Sequence, residues 1–241
     1  FEECVPCKEN DWTLWLDGPY LYENEDFLPR YYHVDNAILV VGNDQDIQGT
    51  IYAILVNDNF DPKTTIIING KNTLEEHDIN FLNKFNAIML VSGSINQNSI
   101  STLKTYKNQG GKIFPDILEN KNSIDMQELE TYFSTLKGNL TQVSSKTISI
   151  NELELYPERS GFLVLSEKFS LFDGWDVTKE NKNINILRAD NVISALHIDS
   201  PAIISLKFQP KRFKTGLIIS SITLLVLLAY GIYLISRKFK R

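Results

Sequence analysis

The sequence has 241 residues, of which 43% are hydrophobic and 22% are charged. This balance suits a chain that buries one or two cores, and it excludes a disordered chain, a collagen-like chain and a small disulfide-stapled protein. The 30 acidic residues outnumber the 24 basic ones, which gives a formal net charge of −6. Because nucleic-acid affinity comes mostly from basic side chains, we expect no nucleic-acid partner.

The first 36 residues form a segment rich in aromatic side chains. Trp12, Trp15 and Tyr22 lie close in sequence to several carboxylates. Aromatic faces beside carboxylates are a common means of holding sugar rings, by stacking and by hydrogen bonds. The competing interpretation is that the same side chains belong to a core. We expect residues 1–36 to pack on a β module further along the chain, with these three residues as candidate ligand-binding groups.

Residues 37–144 alternate between apolar runs and segments with helical periodicity. The apolar runs are short, as in strands that are buried on both faces of a sheet. They fall at 37–42, 64–68, 87–92 and 112–116. Helices are expected between the first two and between the last two of these runs, and again at 125–136. Strands joined by helices require right-handed crossovers and a parallel sheet, so we predict a small doubly wound α/β domain. It resembles flavodoxin-type and glutamine amidotransferase-type sheets.

Residues 145–210 are different, because their apolar residues recur with a period of two. Short β-rich runs are separated by turn residues, as in an antiparallel meander. The runs fall at 147–155, 161–169, 184–189, 192–198 and 202–208. This pattern predicts a β-rich, sandwich-like module.

The segment 211–241 is predicted to be a transmembrane helix with basic flanks. Residues 216–235 carry no charge, and twenty helical residues span about 30 Å, the thickness of the hydrocarbon core of a bilayer. The flanks hold seven of the 24 basic residues and no acidic one. Residues 1–210 therefore carry 30 acidic and 24 − 7 = 17 basic residues, a net charge of −13. The lipid bilayer is thus an expected partner of an acidic body.

The orientation in the membrane depends on three weak signals that agree. Three basic residues precede the span and four follow it, which favours a cytoplasmic C-terminus. Asn139 begins an Asn-Leu-Thr glycosylation sequon, and Cys4 and Cys7 form a single CxxC pair that would form a disulfide only in an oxidising compartment. A local disulfide and two free thiols are the competing states of this pair. We expect residues 1–210 to be extracytoplasmic at the cell membrane.

Four stretches in consistent order resemble signatures of the YfhO-like membrane proteins of bacteria and archaea. They are Tyr22-Glu-Asn-Glu-Asp-Phe-Leu-Pro-Arg30 with Tyr31-Tyr-His-Val34, Gly161-Phe-Leu-Val-Leu-Ser-Glu167 with Phe172-Asp-Gly-Trp175, Ile186-Leu-Arg-Ala189, and Leu206-Lys-Phe-Gln-Pro210 before the span. The residues after Trp175 depart from the family pattern, which has a lysine there.

The resemblance implies a polytopic membrane protein with the fold of GT-C glycosyltransferases, which use lipid-linked sugars. This chain would be its C-terminal extracytoplasmic domain and last helix, in contact with upstream transmembrane helices of the same protein. Arg30 is a candidate for a buried structural ion pair or for a contact with an anionic glycolipid, and Trp175 with Asp176 forms a second candidate binding cluster. The catalytic acidic loop of that fold lies upstream, so this chain is expected not to be catalytic, and the activity of the parent protein stays open.

Catalytic and cofactor signatures are absent from the sequence. Sites in doubly wound sheets lie at the carboxyl ends of strands, where Asn43 follows one predicted strand and Ser92 ends another. Ser92 and Ser94 lack the GxSxG surroundings of a nucleophile elbow, and nothing places His77 beside them as a base. The sequence has no phosphate-binding loop and no ligand spacing that suits a metal ion. We therefore expect no catalytic residue, no cofactor and no metal.

Two hypotheses of function remain. The first is a non-catalytic accessory domain that binds a glycolipid or polysaccharide acceptor for a membrane glycosyltransferase-like protein acting on cell-surface polymers. The second is a single-pass, membrane-anchored binding or assembly module without sugar chemistry.

Overall fold

The computed structural model describes residues 27–91 and 97–239. Its strands are, in chain order, β1 (Tyr31–Val34), β2 (Asn36–Val41), β3 (Thr65–Asn69), β4 (Ala87–Leu90), β5 (Lys112–Phe114), β6 (Thr141–Gln142), β7 (Ser144–Ser149), β8 (Glu152–Tyr156), β9 (Gly161–Leu165), β10 (Trp175–Lys179), β11 (Lys182–Asn183), β12 (Leu187–Ala189), β13 (Ile193–Ile198) and β14 (Ile204–Phe208). The helices are α1 (Asp44–Leu55), α2 (Ile79–Leu82), α3 (Gln97–Asn108), α4 (Met126–Thr135) and α5 (Lys211–Phe239). The predicted mixture of α/β and β structure is confirmed.

A nine-stranded mixed sheet forms the centre of the fold, in the order β5-β4-β2-β3-β12-β13-β9-β1-β6. Its first four strands are parallel, as the alternation of apolar runs and helices predicts. Asn43 caps α1, because its side-chain oxygen accepts a hydrogen bond from the backbone N–H of Asp46 at 3.0 Å. Asp125 caps α4 in the same way.

The other five strands of this sheet pair antiparallel with their neighbours. β9, β12 and β13 come from the predicted β module, and β1 comes from the predicted N-terminal segment. A second, five-stranded antiparallel sheet has the order β11-β10-β14-β8-β7. The mixed sheet therefore includes strands from both sides of the predicted boundary at residue 144.

One apolar cluster covers a single face of the mixed sheet from β5 to β1. It combines Leu39 and Ile66 of the parallel strands with Phe162 and Ala195 of the antiparallel strands. On strands, side chains alternate between the two faces, so the neighbouring residues point the other way. This shared cluster joins the parallel and antiparallel halves into one core.

The opposite face of the mixed sheet is covered by two different layers. Ile47 and Ile51 of α1 pack over the parallel strands. Over the antiparallel strands, Leu163 and Leu196 pack instead against the five-stranded sheet, which contributes Leu155 among others. The antiparallel half is thus a two-sheet layer, and the parallel half is flanked by helices.

The turn between β12 and β13 fastens the two halves of the mixed sheet together. Asp190 and Asn191 both have positive φ, 44° and 65°. The Asn191 side chain donates to the backbone carbonyl of Gln48 in α1 at 2.9 Å, and its oxygen accepts from the Asn69 amide at 3.0 Å. Asp190 exchanges two hydrogen bonds with the backbone of Ile67. The antiparallel hairpin is therefore fixed to the carboxyl end of β3.

Among the described residues, α5 is the one helix long and apolar enough to cross a membrane. Its most apolar window is Thr215–Ile232, and none of that window is buried. This finding is compatible with membrane anchoring. It agrees with the predicted span in position, and it leaves the orientation across the membrane as a prediction.

A candidate anion-binding cleft

The structure places Arg30 in a surface ion pair. Its guanidinium pairs with the Glu167 carboxylate, which also accepts a hydrogen bond from the Tyr31 hydroxyl at 2.6 Å. The Arg30 guanidinium lies 5.5 Å from the centre of the Tyr31 ring, within the range of a cation–π contact. The predicted burial of an Arg30 ion pair is wrong, because 70% of the Arg30 side chain is exposed. The contacts with Glu167 fasten the residues before β1 to the end of β9.

Trp175 and Asp176 lie at the start of β10. The Trp175 ring contacts Phe169 at 4.6 Å and Phe208 at 5.1 Å between ring centres, so the indole is half-buried in the end of the five-stranded sheet. Asp176 is exposed. Both residues border a shallow depression of about 310 Å³, into which Phe172 also faces. The Trp175 ring thus packs in the sheet, and a binding role for the two residues stays a prediction.

The remaining predicted site residues are separated from these or lie outside the described part of the chain. Asn139 is exposed, and its backbone is held by Asp35 and Arg159 on either side. Five predicted residues lie outside the described residues: Trp12, Trp15, Tyr22, Cys4 and Cys7. Ser92 and Ser94, the weaker catalytic candidates, do so as well.

A cleft of about 550 Å³ opens on the surface of the described structure. It lies where the β10–β11 hairpin and the connection to β12 meet the end of β13 and the segment before β4. Its walls come from Phe81, Lys84, Lys179, Glu180, Lys182, Asn183, Ile184, Asn185, Leu187, His197, Asp199 and Ser200. A volume in this range is typical of sites in proteins that bind small molecules.

Three lysines give this cleft an excess of positive charge on an acidic protein. Lys84 comes from the loop before β4, and Lys179 and Lys182 come from the β10–β11 hairpin. The Lys179 ammonium donates to the Ser200 hydroxyl at 2.6 Å, which holds it at the rim. Two carboxylates, on Glu180 and Asp199, oppose them. The cleft therefore gathers more positive than negative side chains.

His197 forms part of the cleft wall and is partly buried. Its Nδ1 lies 3.1 Å from Asp199 Oδ1, but that atom is buried and the angles of the contact are not those of a hydrogen bond. Burial lowers the pKa of His197, the nearby Lys84 charge lowers it further, and Asp199 opposes both effects. The imidazole is thus neutral at pH 7, and its buried Nδ1 has no hydrogen-bond partner among the described residues.

The other two histidines serve the structure. Nδ1 of the buried His33 lies 3.2 Å from the Phe162 carbonyl oxygen, to which it can only donate. His77 accepts a hydrogen bond from the backbone N–H of Lys71 at Nε2, at 3.1 Å, and stacks on Phe81 at 5.0 Å. Within the part of the chain that the structure describes, no group of three or more potential ligand side chains is placed to hold a metal.

Sequence reasoning missed the cleft because its residues are distant in sequence. Lys84 and His197 are more than a hundred positions apart, and each looks like an ordinary surface or core residue when it is considered alone. The usable signal was the closeness of Lys179 and Lys182 on either side of Glu180-Asn181 in an otherwise acidic body.

Comparison with known proteins adds no relative to this chain. No protein-family model matches it, and no curated protein matches it either. The resemblance to YfhO-like proteins therefore stays a prediction. The cleft and α5 are the features of the described structure that bear on function.

Proposed function

We propose that this chain is a membrane-anchored binding module whose cleft holds an anionic saccharide, one that carries carboxylate or phosphate groups. The observation that supports it most is the gathering of Lys84, Lys179, Lys182 and His197 around one cleft of about 550 Å³. Residues 1–210 carry 30 − 17 = 13 net negative charges, so this cleft is a local exception to the charge of the body. A cleft lined mainly by positive side chains focuses their electrostatic field on a bound anion.

The position of the cleft favours a ligand that arrives from the solvent. Lys179 ends β10, whereas Trp175 begins it, on the side where α5 leaves the body. Four residues of strand separate the two by roughly 13 Å. A headgroup of the bilayer that α5 spans would lie at the opposite end of this sheet. A polysaccharide segment, or the sugar end of a long glycolipid, is therefore the class of ligand that the cleft fits.

The finer parts of the proposal concern fold type and parent protein. The parallel strands have the order β3-β2-β4-β5, the order found in flavodoxin-type sheets, which supports a flavodoxin-like α/β unit.

An anion-binding cleft and a single apolar helix suit an accessory, acceptor-binding domain of a glycosyltransferase-like protein, with residues 1–210 outside the cell. They suit a single-pass anchored module equally well. Hydrophobic segments encoded upstream in the coding region would favour the accessory domain over the single-pass module.

A charge-reversal experiment tests the binding proposal. We expect fluorescein-labelled oligogalacturonate to bind the full chain in detergent, and the double variant Lys84→Glu, Lys182→Glu to bind it at least about tenfold more weakly, since each lysine contributes about 1 kcal/mol to binding an anion. Lys179 stays in place because its ammonium bonds Ser200. Fluorescence anisotropy measures the affinity.

The matched control for this experiment is Lys104→Glu on the exposed face of α3, outside the cleft. Its affinity for the probe should stay within about twofold of the parent, since screened surface charges act weakly over distance. Neutral maltohexaose should not compete. Equal losses in the cleft and control variants, or no binding by the parent chain, would refute the anionic-ligand proposal.

Acidification should strengthen binding of the same probe. Burial and the Lys84 charge lower the pKa of His197, so the cleft gains the charge of a protonated imidazole only when the pH falls below the ordinary range of histidine, toward about 5, where uronate groups stay ionised. We expect a few-fold gain in affinity, which the variant His197→Gln should lose. A parent chain whose pH dependence matches that of His197→Gln would show that His197 does not face the ligand.

A further inference from the structure

The end of the five-stranded sheet from which α5 leaves is fixed by strand register. β14 ends at Phe208, which lies opposite Trp175 at the start of β10. The backbone N–H of Phe208 donates to the carbonyl of Asn151 in the β7–β8 turn at 2.8 Å. The β7–β8 turn and the segment before β10 therefore lie at the same end of the sheet as the first residues of α5.

These two connections expose large apolar side chains, which we call the apolar tips: Ile148, Ile150, Leu171 and Phe172. Ile150 is 96% exposed and Phe172 is 62% exposed. Soluble surfaces do carry single apolar residues, but two neighbouring tips at one end of a sheet mark an interaction surface.

The opposite end of the same sheet is mostly polar. Its connections expose Glu158, Glu180, Asn181 and Asp199, with Ile203 as the apolar exception. The sheet thus has one polar end and one apolar end, and the chain continues into α5 from the apolar end. A domain that rests on a lipid surface has the same arrangement.

The apolar tips are held rigidly to the start of α5. Trp175 packs between Phe169 and Phe208, so the segment before β10 is joined to the end of β14. Gly174 has a φ of 113°, and its carbonyl accepts a hydrogen bond from the backbone N–H of Gln209. A Cβ added at Gly174 would lie 2.9 Å from Pro210 Cα, so the two backbones pass too closely for any other residue.

The distance to the bilayer is short enough for contact. The apolar window of α5 begins at Thr215, four helical residues or about 6 Å after Lys211. The headgroup region on each side of a bilayer is about 5–8 Å thick. The apolar tips lie beside the residues just before α5, so with α5 crossing a bilayer they would lie at headgroup depth. Phe213, in the first turn of α5, is 68% exposed.

We propose that the apolar tips insert into the headgroup region of the bilayer that α5 crosses, so that the five-stranded sheet stands on the membrane. This inference rests on the membrane anchoring in the proposed function. Basic residues at positions 211, 212 and 214 favour an anionic lipid surface beside the tips. Asp173 lies next to Phe172 and limits the depth, so the contact is shallow, with Ile150 and Phe172 as its anchors.

Depth measurement by lipid quenching tests this proposal on the full chain. Cys4 and Cys7 are replaced by serine, and a single cysteine is introduced by Ile150→Cys and labelled with the fluorophore NBD. The chain is reconstituted in vesicles of phosphatidylcholine and phosphatidylglycerol that contain nitroxide-labelled lipid. We expect quenching at least about twofold stronger than for the same label at Ser160→Cys, an exposed position beyond the polar end of β8.

A third label, at Leu225→Cys inside the span, separates the possible outcomes. Strong quenching at Leu225 together with quenching at Ile150 no greater than at Ser160 overturns the tip contact and leaves the anchoring intact. No quenching at Leu225 removes the anchoring itself, and the tip contact with it. Should the Ile150→Cys chain misfold, Phe172→Cys reports the same contact from the second tip.

Discussion

Replacing Phe162 by alanine is expected to lower the free energy of unfolding by about 3–5 kcal/mol, the range for removing a buried aromatic ring. Phe162 is 3% exposed on β9. Its ring packs 5.3 Å from that of Phe85 and 5.1 Å from that of His197, edge to face in the second case. It belongs to the cluster shared by both halves of the mixed sheet. The cavity left by the substitution would therefore loosen the whole core and the wall of the cleft.

Urea unfolding of the full chain in detergent, followed by circular dichroism, measures this loss. Tyr52→Ala on α1 is the matched control, because the Tyr52 side chain is 66% exposed, and its effect should stay within about 0.5 kcal/mol. Because both halves of the mixed sheet share this cluster, we further expect the chain to unfold in one cooperative transition. Phe162→Ala should lower the urea concentration at the midpoint of that transition. Similar effects of the two variants, or two separate transitions, would contradict a common core.

The parallel half of the sheet could be predicted from sequence because it is locally specified. β2 and β4 are continuous apolar runs, as strands covered by helices on both faces must be. Only Gly42 separates the end of β2 from Asn43, which caps α1, so the strand-to-helix junction is visible in the residues themselves. Parallel neighbours then follow from the helical crossovers between them.

The division of the later strands between two sheets was not predicted, although the sequence holds a signal for it. β8 alternates strictly, Glu152-Leu-Glu-Leu-Tyr156, as a strand with one face in solvent does. β9 is Gly161-Phe-Leu-Val-Leu165, apolar at every position after its glycine, because it is covered on both faces. Its partners, β13 and β1, are distant in sequence, and no local pattern encodes such pairing.

The cleft could not be predicted, for a different physical reason. A lysine in sequence is most often a solvated surface residue, and only the fold brings Lys84, Lys179 and His197 to one concavity. Arg30 is a different case, because the sequence predicts an ion pair for it but does not identify the acidic partner. Glu167 lies 137 positions away, and the pairing of β1 with β9 brings the two together.

Asp190→Asn is expected to raise stability at alkaline pH and to change it little at acidic pH. Burial raises the pKa of Asp190 to about 7 in the folded chain, against about 4 for an unfolded aspartate. Between these two values the folded state holds a proton that the unfolded state has lost, so the free energy of unfolding falls as the pH rises from about 4 to about 7. Above this window the charged carboxylate costs up to about 4 kcal/mol, and less if solvent reaches the carboxylate.

Asparagine suits this position in every other respect. Its side-chain oxygen can accept the same hydrogen bond from the Ile67 backbone N–H, 3.0 Å away, and it tolerates the φ of 44° that the turn requires. Urea unfolding at about pH 4.5, 6 and 8 should give curves that diverge as the pH rises, with the variant more stable by about 1–4 kcal/mol at the highest. Asp58→Asn, at an exposed position, should follow the parent throughout. Parallel curves for Asp190→Asn and the parent would mean that this carboxylate is solvated, and that the hairpin does not seal the end of β3.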